Sequence, residues 1–593
     1  MFVVATAGHV DHGKSTLVRA LTGIEPDRWE EERRRGLTID LGFAWTALPS
    51  GREVAFVDVP GHERFLGNML AGLGPVPVVC LVVAADEGWR AQSGDHRDAL
   101  AALGIEHGLV VLTRIDKARG DVAEVRARVR RELAETGLAE APMVEVSAVT
   151  GAGLDVLRVA LDDVLAAVPP PDPGAAVRFW VDRAFTVVGA GTVLTGTLPA
   201  GTVRSGDELE LIGADGARRV TVRGLQRHGG DAAEVGPVSR VAVNLRGVAP
   251  EGVRRGDVLV TPGTFPLTAV IDVRATGIDP DHGVPEWLTV HAGTAAIPAR
   301  VRPFDGDHLR LTLARPAPLT RGDRLVLRDP GAHRIVGGAR VLDADPPALR
   351  RRGDGARRAG ALAGLEAGEG LMAEVERHGA VSRERLAGLG FGTVVPGGVR
   401  VIGDWWVHED ALAEWQLRLR ALVDELHRTD PLAAGLSLGA ARDALALPDP
   451  SLLRTVVDGA GVESAGGVLA LPGHRTDLGP AEAPVAELER RLASAQFAAP
   501  EADDLAALKL GTRELAAAER AGRLIRLADG VVLSPKAPAL AMRELARLPQ
   551  PFTTSEARRA LGTTRRVAIP LLEHLDSRGW TRRLDAGHRE VAR

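Results

Sequence analysis

Gly8-His9-Val10-Asp11-His12-Gly13-Lys14-Ser15 stands between an apolar run, Phe2–Ala7, and a helix-forming stretch at residues 15–21. The pattern G-x-x-x-x-G-K-[ST] between a strand and a helix predicts a phosphate-binding loop. Gly8 and Gly13 permit backbone conformations that other residues resist, so the N–H groups of His9, Val10, Asp11 and His12 can converge on phosphate oxygens. The helix start adds positive potential beside Lys14, Ser15 and Thr16. Lys14 is placed for the β- and γ-phosphates, and Ser15 for Mg²⁺. Working outward, short apolar runs at 53–57, 78–84, 109–113 and 143–146 alternate with helix-length stretches, the signature of a doubly wound parallel sheet.

Three further stretches complete a nucleotide site. Asp58-Val59-Pro60-Gly61-His62-Glu63 follows a buried strand. Asp58 is placed to hold Mg²⁺ through water, Gly61 N–H to sense the γ-phosphate, and His62 to face the attacking water. Thr38, in Arg35-Gly36-Leu37-Thr38-Ile39-Asp40, lies in a charged stretch without strand or helix pattern. Its hydroxyl can join the Mg²⁺ shell when that loop closes on triphosphate. Thr113-Arg114-Ile115-Asp116 ends one strand, and Ser147-Ala148 ends the next. A carboxylate at Asp116 can accept guanine N1–H and N2–H₂, which adenine does not offer, and the backbone of Ser147 and Ala148 can read guanine O6. The bland alternative makes Asp116 an N-cap or turn residue.

With 593 residues the chain exceeds a single core, and 45% hydrophobic with 25% charged residues exclude a disordered or coiled-coil protein. One cysteine, Cys80, excludes internal disulfides and thiolate-rich metal sites. No apolar run reaches bilayer-spanning length and no leader pattern opens the chain, so the expectation is a cytoplasmic monomer without membrane contact. Aromatics are 3% of residues, so nucleic-acid contacts must rest on arginine and backbone groups more than on stacked rings. Residues 536–593 carry twelve Lys+Arg against six Asp+Glu, a balance of +6 in a chain of net −5. The remainder is therefore −11, and the basic end suggests a polyanion partner.

Residues 1–170 form the predicted nucleotide domain, closed by Pro169-Pro170-Pro171-Asp172-Pro173-Gly174, a stiff linker. Short β-branched runs between Gly-Asp turns (Ser205-Gly206-Asp207, Arg255-Gly256-Asp257, Arg321-Gly322-Asp323) predict two β-barrels, at 175–262 and 263–347. Beyond Pro347 the pattern is helical with short hairpins. Residues 461–472 and 522–535 form a weak repeat of strand, turn, strand after an apolar helix. Four winged-helix units are expected, at 348–415, 416–475, 476–535 and 536–593.

The nucleotide motifs, in order and spacing, resemble the translational GTPases, with residues 8–15 and 58–63 nearly in elongation factor Tu form. The resemblance implies GTP/GDP and Mg²⁺ as cofactors. One departure is Thr113-Arg114-Ile115-Asp116 where that family has Asn-Lys-x-Asp. Guanine specificity then rests on Asp116, and loss of the Asn contact implies loose GDP binding and exchange without a dedicated factor. Residues 185–196 and 324–331 with 336–338 resemble parts of the two barrels of elongation factor Tu, whose family holds the aminoacyl end of tRNA between G domain and first barrel. Asp182 and Arg183 stand where the general factor carries two acidic residues, and Arg240 where it has an asparagine. Two arginines and one acid suit a small anionic side chain such as a selenolate, by charge-assisted hydrogen bonds. The plainer reading makes them surface arginines paired with Asp182.

An elongation-factor body with a winged-helix tail resembles the bacterial selenocysteine-specific elongation factors. That resemblance implies selenocysteyl-tRNA, a messenger-RNA hairpin beside an in-frame UGA codon, and the ribosome as partners. Residues 562–576 read as a turn opening a recognition helix. Leu571, Leu572 and Leu575 share its buried face, and Arg565 and Arg566 sit at its N-terminal end as a phosphate clamp, extended by Arg582 and Arg583 on the next strand. Two alternatives remain at this stage: the GTPase subunit of a sulfate-activating enzyme, and a nucleotide-sensing, winged-helix DNA-binding regulator.

Overall fold

Hydrophobic alternation along the first strands already divides their side chains between two layers. The structure, a computed structural model, describes residues 2–26, 38–187, 191–278, 283–366, 370–473 and 478–592. Residues 35–37 of the loop reading and 188–190 of the barrel motif lie outside the described residues. Two compact units are present, Met1–Glu374 with Ser382–Pro396, and Val375–Val381 with Gly397–Arg593.

The first unit opens with a six-stranded sheet of β1 (Phe2–Ala7), β2 (Gly42–Ala47), β3 (Glu53–Asp58), β4 (Val78–Ala84), β5 (His107–Thr113) and β6 (Met143–Glu145), in the order β2-β3-β1-β4-β5-β6. Val3, Ala5, Val79, Leu81 and Val83 enter one core layer, while Val4, Val78, Cys80 and Val82 enter the other. Burial pushes the Cys80 thiol up to about 12, so this cysteine is an inert core residue. Helices α1 (Lys14–Thr22), α2 (Leu66–Leu73), α3 (Ala91–Leu103), α4 (Val122–Leu133) and α5 (Leu154–Ala167) alternate with the strands. The expectation of a parallel sheet needs one correction: β2 runs antiparallel to β3, from Gly42 opposite Asp58 to Ala47 opposite Glu53. Only residues 48–52 connect them, with Leu48 N–H donating to Arg52 O at 2.8 Å and Gly51 at φ 84. So short a link permits a hairpin and excludes a crossover.

Two β-barrels follow. The first runs Glu208–Gly213, Val258–Val260, Arg178–Val187, Gly191–Leu198, Ser239–Arg246 and Gly216–Arg227, and pairing of Glu208–Gly213 with Gly216–Arg227 closes the ring. The second is a closed six-stranded barrel from Thr268–Thr276 to Arg334–Asp343. Its Asp272 is fully buried and accepts a two-pronged Arg310 at 2.7 and 2.9 Å, and Arg358 from the helix Asp354–Gly364 at 2.6 Å.

In the second unit hairpins recur: Val399–Ile402 with Trp405–His408, Glu463–Ala465 with Val468–Ala470, Ile525–Arg526 with Val532–Leu533, and Thr581–Arg583 with His588–Val591. A boundary at 415/416 falls inside the helix Glu409–Thr429. Leu412, Leu419 and Val423 keep one buried stripe through that point, and the acidic pair Glu409 and Asp410 marks the true helix start. Residues from Leu478 to Leu575 share one hydrophobic cluster, so the last two helix-and-hairpin units pack as a pair.

Asp272→Ala leaves the nearly buried Arg310 without its carboxylate and leaves Arg358 with Asp343 alone. It is expected to destabilise the first unit by about 3–5 kcal/mol, read as a lower urea midpoint for the full chain than for wild type.

Candidate nucleotide site and aminoacyl pocket

The phosphate loop leaves β1 at its carboxyl end, where open α/β sheets place ligands. Asp11 at φ 64 and Gly13 at φ 84 curl the loop so that its N–H groups turn inward. Gly8, at φ 131, lies so near the carbonyl oxygen of Val82 that a Cβ would sit 2.1 Å from it. Lys14 is buried and donates to the carbonyls of Gly8 and His9, both at 2.9 Å.

The three residues expected at Mg²⁺ are brought together. Ser15 Oγ donates to Asp58 Oδ2 at 2.6 Å and lies 3.0 Å from Thr38 Oγ1. Two hydroxyls and a carboxylate form an all-oxygen donor set of the kind hard divalent cations take. Burial pushes the Asp58 carboxyl above the usual range, against the pull of Lys14 and the bonds from Ser15 and Thr6. Gly61 presses on the loop, since a Cβ on it would meet Lys14 Nζ at 2.4 Å and Val10 N at 2.5 Å. His62 is half-buried and caps the short helix Glu63–Phe65, its Nδ1 accepting Arg64 N–H at 3.2 Å.

At the base end, Thr113 Oγ1 donates to the His12 carbonyl at 2.7 Å, so the short side chain braces the phosphate loop. Arg114, at φ 57, donates to the Asp11 carbonyl and to Glu87 at 2.8 Å. Asp116 is exposed in a turn, where Lys117 N–H donates to the Arg114 carbonyl at 2.9 Å, and the cap of α4 is Asp121, whose carboxylate accepts Ala123 N–H at 2.8 Å; of the plainer alternative the turn placement holds and the N-cap does not. Ser147 is buried and accepts Thr150 N–H at 3.2 Å, while Ala148 is half-buried beside it. Thr16 is half-buried in the first turn of α1.

Sequence reasoning missed the supports of this loop. Thr6 Oγ1 donates to Asp58 Oδ1 at 2.7 Å, Gln92 Oε1 accepts Val10 N–H at 3.3 Å, and His96 Nδ1 accepts Gly8 N–H at 3.1 Å. Burial, reinforced by Lys14, keeps His96 far below its ordinary pKa, and burial lowers His12 to about 3, so both rings stay neutral near pH 7. Gln92 and His96 share α3, four residues apart, which was the available signal.

The second predicted constellation lies where β2 faces the first barrel. A cavity of about 150 Å³ is bordered by Phe43, Trp45, Arg183, Phe185, His228 and Arg240, among others. A bulge between Val181 and Arg183 takes Asp182 out of the ladder and lets it turn inward, where it is buried. Arg240 forks onto Asp182, with Nη2 at 2.9 Å from Oδ1, and Thr195 Oγ1 donates to the same carboxylate at 2.7 Å. The guanidinium of Arg240 also lies 3.5 Å from the Phe43 ring centre. The pairing of the plainer reading holds for Arg240, which bonds Asp182, but its side chain is only 13% exposed and borders the cavity, so it is not a surface arginine. Arg183 instead crosses to the nucleotide domain, donating to Asp40 at 2.9 Å and to the Leu41 carbonyl at 3.2 Å. Trp45 stacks on His228 with planes 3° apart, a contact that nothing in the sequence pattern signalled.

The basic C-terminal residues divide. Arg565 is exposed at the first position of the helix Arg565–Ser577, as expected. Arg566 is committed elsewhere: it donates to the carbonyls of Ala499 and Pro500 at 3.2 and 3.0 Å and pairs with Glu501 at 3.1 Å. Arg582 is exposed but paired with Glu590, and Arg583 donates to the Asp585 carbonyl at 3.0 Å. Among the described residues, no helix is long and apolar enough to cross a membrane.

Comparison with known proteins gives concordant answers along the chain. Residues 1–167 match the elongation factor Tu GTP-binding domain and 191–260 elongation factor Tu domain 2. Residues 278–348 match the β-barrel domain of selenocysteine-specific elongation factor, and 543–589 the winged helix of elongation factor SelB. The selenocysteine-specific elongation factor of Escherichia coli K12 is 33% identical over 99% of this chain and 98% of its own. That of Desulfomicrobium baculatum is 38% identical over 66% of this chain and 62% of its own. A crystal structure of the bacterial selenocysteine-specific elongation factor EF-Sec superposes with a TM-score of 0.82 at 27% identity, covering 100% of both chains. Agreement over the whole length decides against the sulfate-activating and DNA-regulator alternatives. With GTP hydrolysis as its activity, the chain belongs to the selenocysteine-specific elongation factors, a family of translational GTPases.

Proposed function

We propose that this chain binds selenocysteyl-tRNA in its GTP form, carries it to the ribosome, and selects its codon by holding a messenger-RNA hairpin with its last winged helix. The observation that carries this reading is a cavity between the nucleotide domain and first barrel that Arg183 and Arg240 border, with Asp182 buried behind Arg240. Arg240, held by Asp182, and Arg183, held by Asp40, turn guanidinium faces toward that cavity, and the wall offers N–H donors to an anion that can share them. A selenolate is ionised at neutral pH, whereas serine and cysteine side chains are largely neutral, so the wall favours selenium by a charge-assisted hydrogen bond.

Ser15, Thr38 and, through water, Asp58 would hold Mg²⁺. The ion supplies charge neutralisation on the β- and γ-phosphate oxygens when bound. Lys14 and the N–H groups of residues 9–13 bind the phosphates, Gly61 N–H reports the γ-phosphate, and His62 orients the attacking water. Asp116 and the backbone of Ser147 and Ala148 select guanine. The carboxyl-terminal contact falls to Arg565 and Arg583, with Arg582 available once its bond to Glu590 is exchanged for phosphate. Arg566 supports that surface from behind.

His62→Ala is expected to slow ribosome-dependent GTP turnover by 10²–10⁴-fold, the usual contribution of a positioned proton-handling group. Single-turnover hydrolysis at wild-type rate would remove the histidine from the reaction. Arg240→Ala is expected to cut the preference for selenocysteyl- over seryl-tRNA by about tenfold or more, the worth of one charged hydrogen bond. An unchanged ratio of the two dissociation constants would defeat the pocket reading. Arg565→Ala should weaken hairpin binding and lower its salt slope by about one. Hairpin affinity indifferent to that change, or tighter binding of duplex DNA, would reject the RNA surface.

A further inference from the structure

One arginine touches three segments that the proposed function keeps apart. Arg255 sits on a tight turn of the first barrel, where Arg254 N–H donates to Asp257 Oδ2 at 2.8 Å and Gly256 adopts φ 88. That turn is pinned to the strand carrying the pocket, since Val181 N–H donates to the Asp257 carbonyl at 2.8 Å and Gly256 N–H to the Val181 carbonyl at 3.0 Å. From this fixed base the guanidinium makes three contacts. Its Nε donates to the Asp182 carbonyl at 2.8 Å, at the pocket bulge. Its Nη1 donates to Asn68 Oδ1 at 2.7 Å, on α2, the helix that follows Gly61 and His62. Its Nη2 donates to Asp40 Oδ1 at 2.5 Å, two residues beyond Thr38.

The neighbours tie these contacts into a ring. Asn68 Nδ2 donates to the Ile39 carbonyl at 2.9 Å, and the second oxygen of Asp40 holds the pocket residue Arg183. A guanidinium is planar with donors in a fixed fork, so it cannot follow one partner without straining the bonds to the other two. A displacement of the Thr38 segment or of α2 must either break this fork or shift Asp182 and Arg183 with it.

We infer that Arg255 is the positioning residue through which the state of the nucleotide site sets the geometry of the aminoacyl pocket. With triphosphate bound, Thr38 and Gly61 are drawn to the phosphates, Asp40 and Asn68 stand where Arg255 grips both, and Arg183 is aimed by Asp40. With diphosphate, one grip is lost and the pocket loses its set geometry. This inference rests on the proposed tRNA-binding function.

The full chain tests it, using selenocysteyl-tRNA with a non-hydrolysable GTP analogue or with GDP. The quantity read is the ratio of the two dissociation constants. Arg255→Gln is expected to lower the wild-type ratio by about tenfold or more, which corresponds to ~1.4 kcal/mol of coupling. Arg255→Lys should fail to restore it, because one ammonium does not span three acceptors. Asn68→Ala, which removes only the α2 arm and guards against misfolding of the arginine variants, should lower the ratio by a smaller factor. A passive strut would weaken both nucleotide forms equally and leave the ratio intact, and that result in Arg255→Gln or Asn68→Ala overturns the inference. A wild-type chain indifferent to nucleotide, or to selenium against oxygen, overturns the tRNA-binding function and this coupling together.

Discussion

A buried ammonium governs the first unit. Lys14 lies beneath the phosphate loop with the carbonyls of Gly8 and His9 as neighbours, and burying a cation is costly without compensating charge. Asp58 is the carboxylate whose ionised form Lys14 favours, against burial that pushes its carboxyl upward. The nearby His12 and His96 are held neutral, so they add no further positive charge beside it. Inward N–H groups beside that ammonium suit the phosphate oxygens of a nucleotide. A Cβ at Gly61 would press on Lys14 Nζ and Val10 N, so glycine there keeps a side chain away from the ammonium, while Gly8 is required by its close approach to the Val82 carbonyl.

This demand explains why the nucleotide site was legible in sequence. The loop needs glycine at Gly8 and Gly13, a lysine of fixed reach and a hydroxyl next to it, so few residue choices remain and the motif is visible in one chain. The supports around it are another matter. Gln92 and His96 act from a helix whose face also satisfies ordinary packing, and Thr6 looks like any strand threonine until Asp58 is folded against it. The edge strand β2 escaped for a similar reason: its hairpin turn at 48–52 carries one glycine and a mixed composition, while the parallel strands announce themselves by continuous apolar runs.

Charge patterns were legible in number and not in allocation. The excess of arginine near the C-terminus is real, yet Arg566 is spent on the carbonyls of Ala499 and Pro500, within a pair of units that share one core. Arg565, one position earlier, points into the open. A helix turns about 100° per residue, so adjacent arginines at an N-terminus cannot face the same partner. Sequence shows both, and only the neighbouring unit's loop decides which is structural. The same holds in the barrel, where Asp182, Arg183 and Arg240 were identified together but Arg183 looks toward Asp40, a residue distant in sequence.

Such cross-domain ion pairs contribute little to stability when they are partly exposed, typically 0–1 kcal/mol each, because solvent screens them and long side chains lose freedom. Arg255, Arg183 and Asp40 are all half-buried and fall in that class. Their value must then lie in what they forbid. A single guanidinium that satisfies Asp40, Asn68 and the Asp182 carbonyl loses its rotamer freedom once for three bonds, and those bonds are compatible in only one arrangement of three segments. Interactions of modest strength but exclusive geometry suit a molecule that must change state during each round of GTP hydrolysis. Stronger links would fix the pocket in one state, and weaker ones would let it ignore the nucleotide.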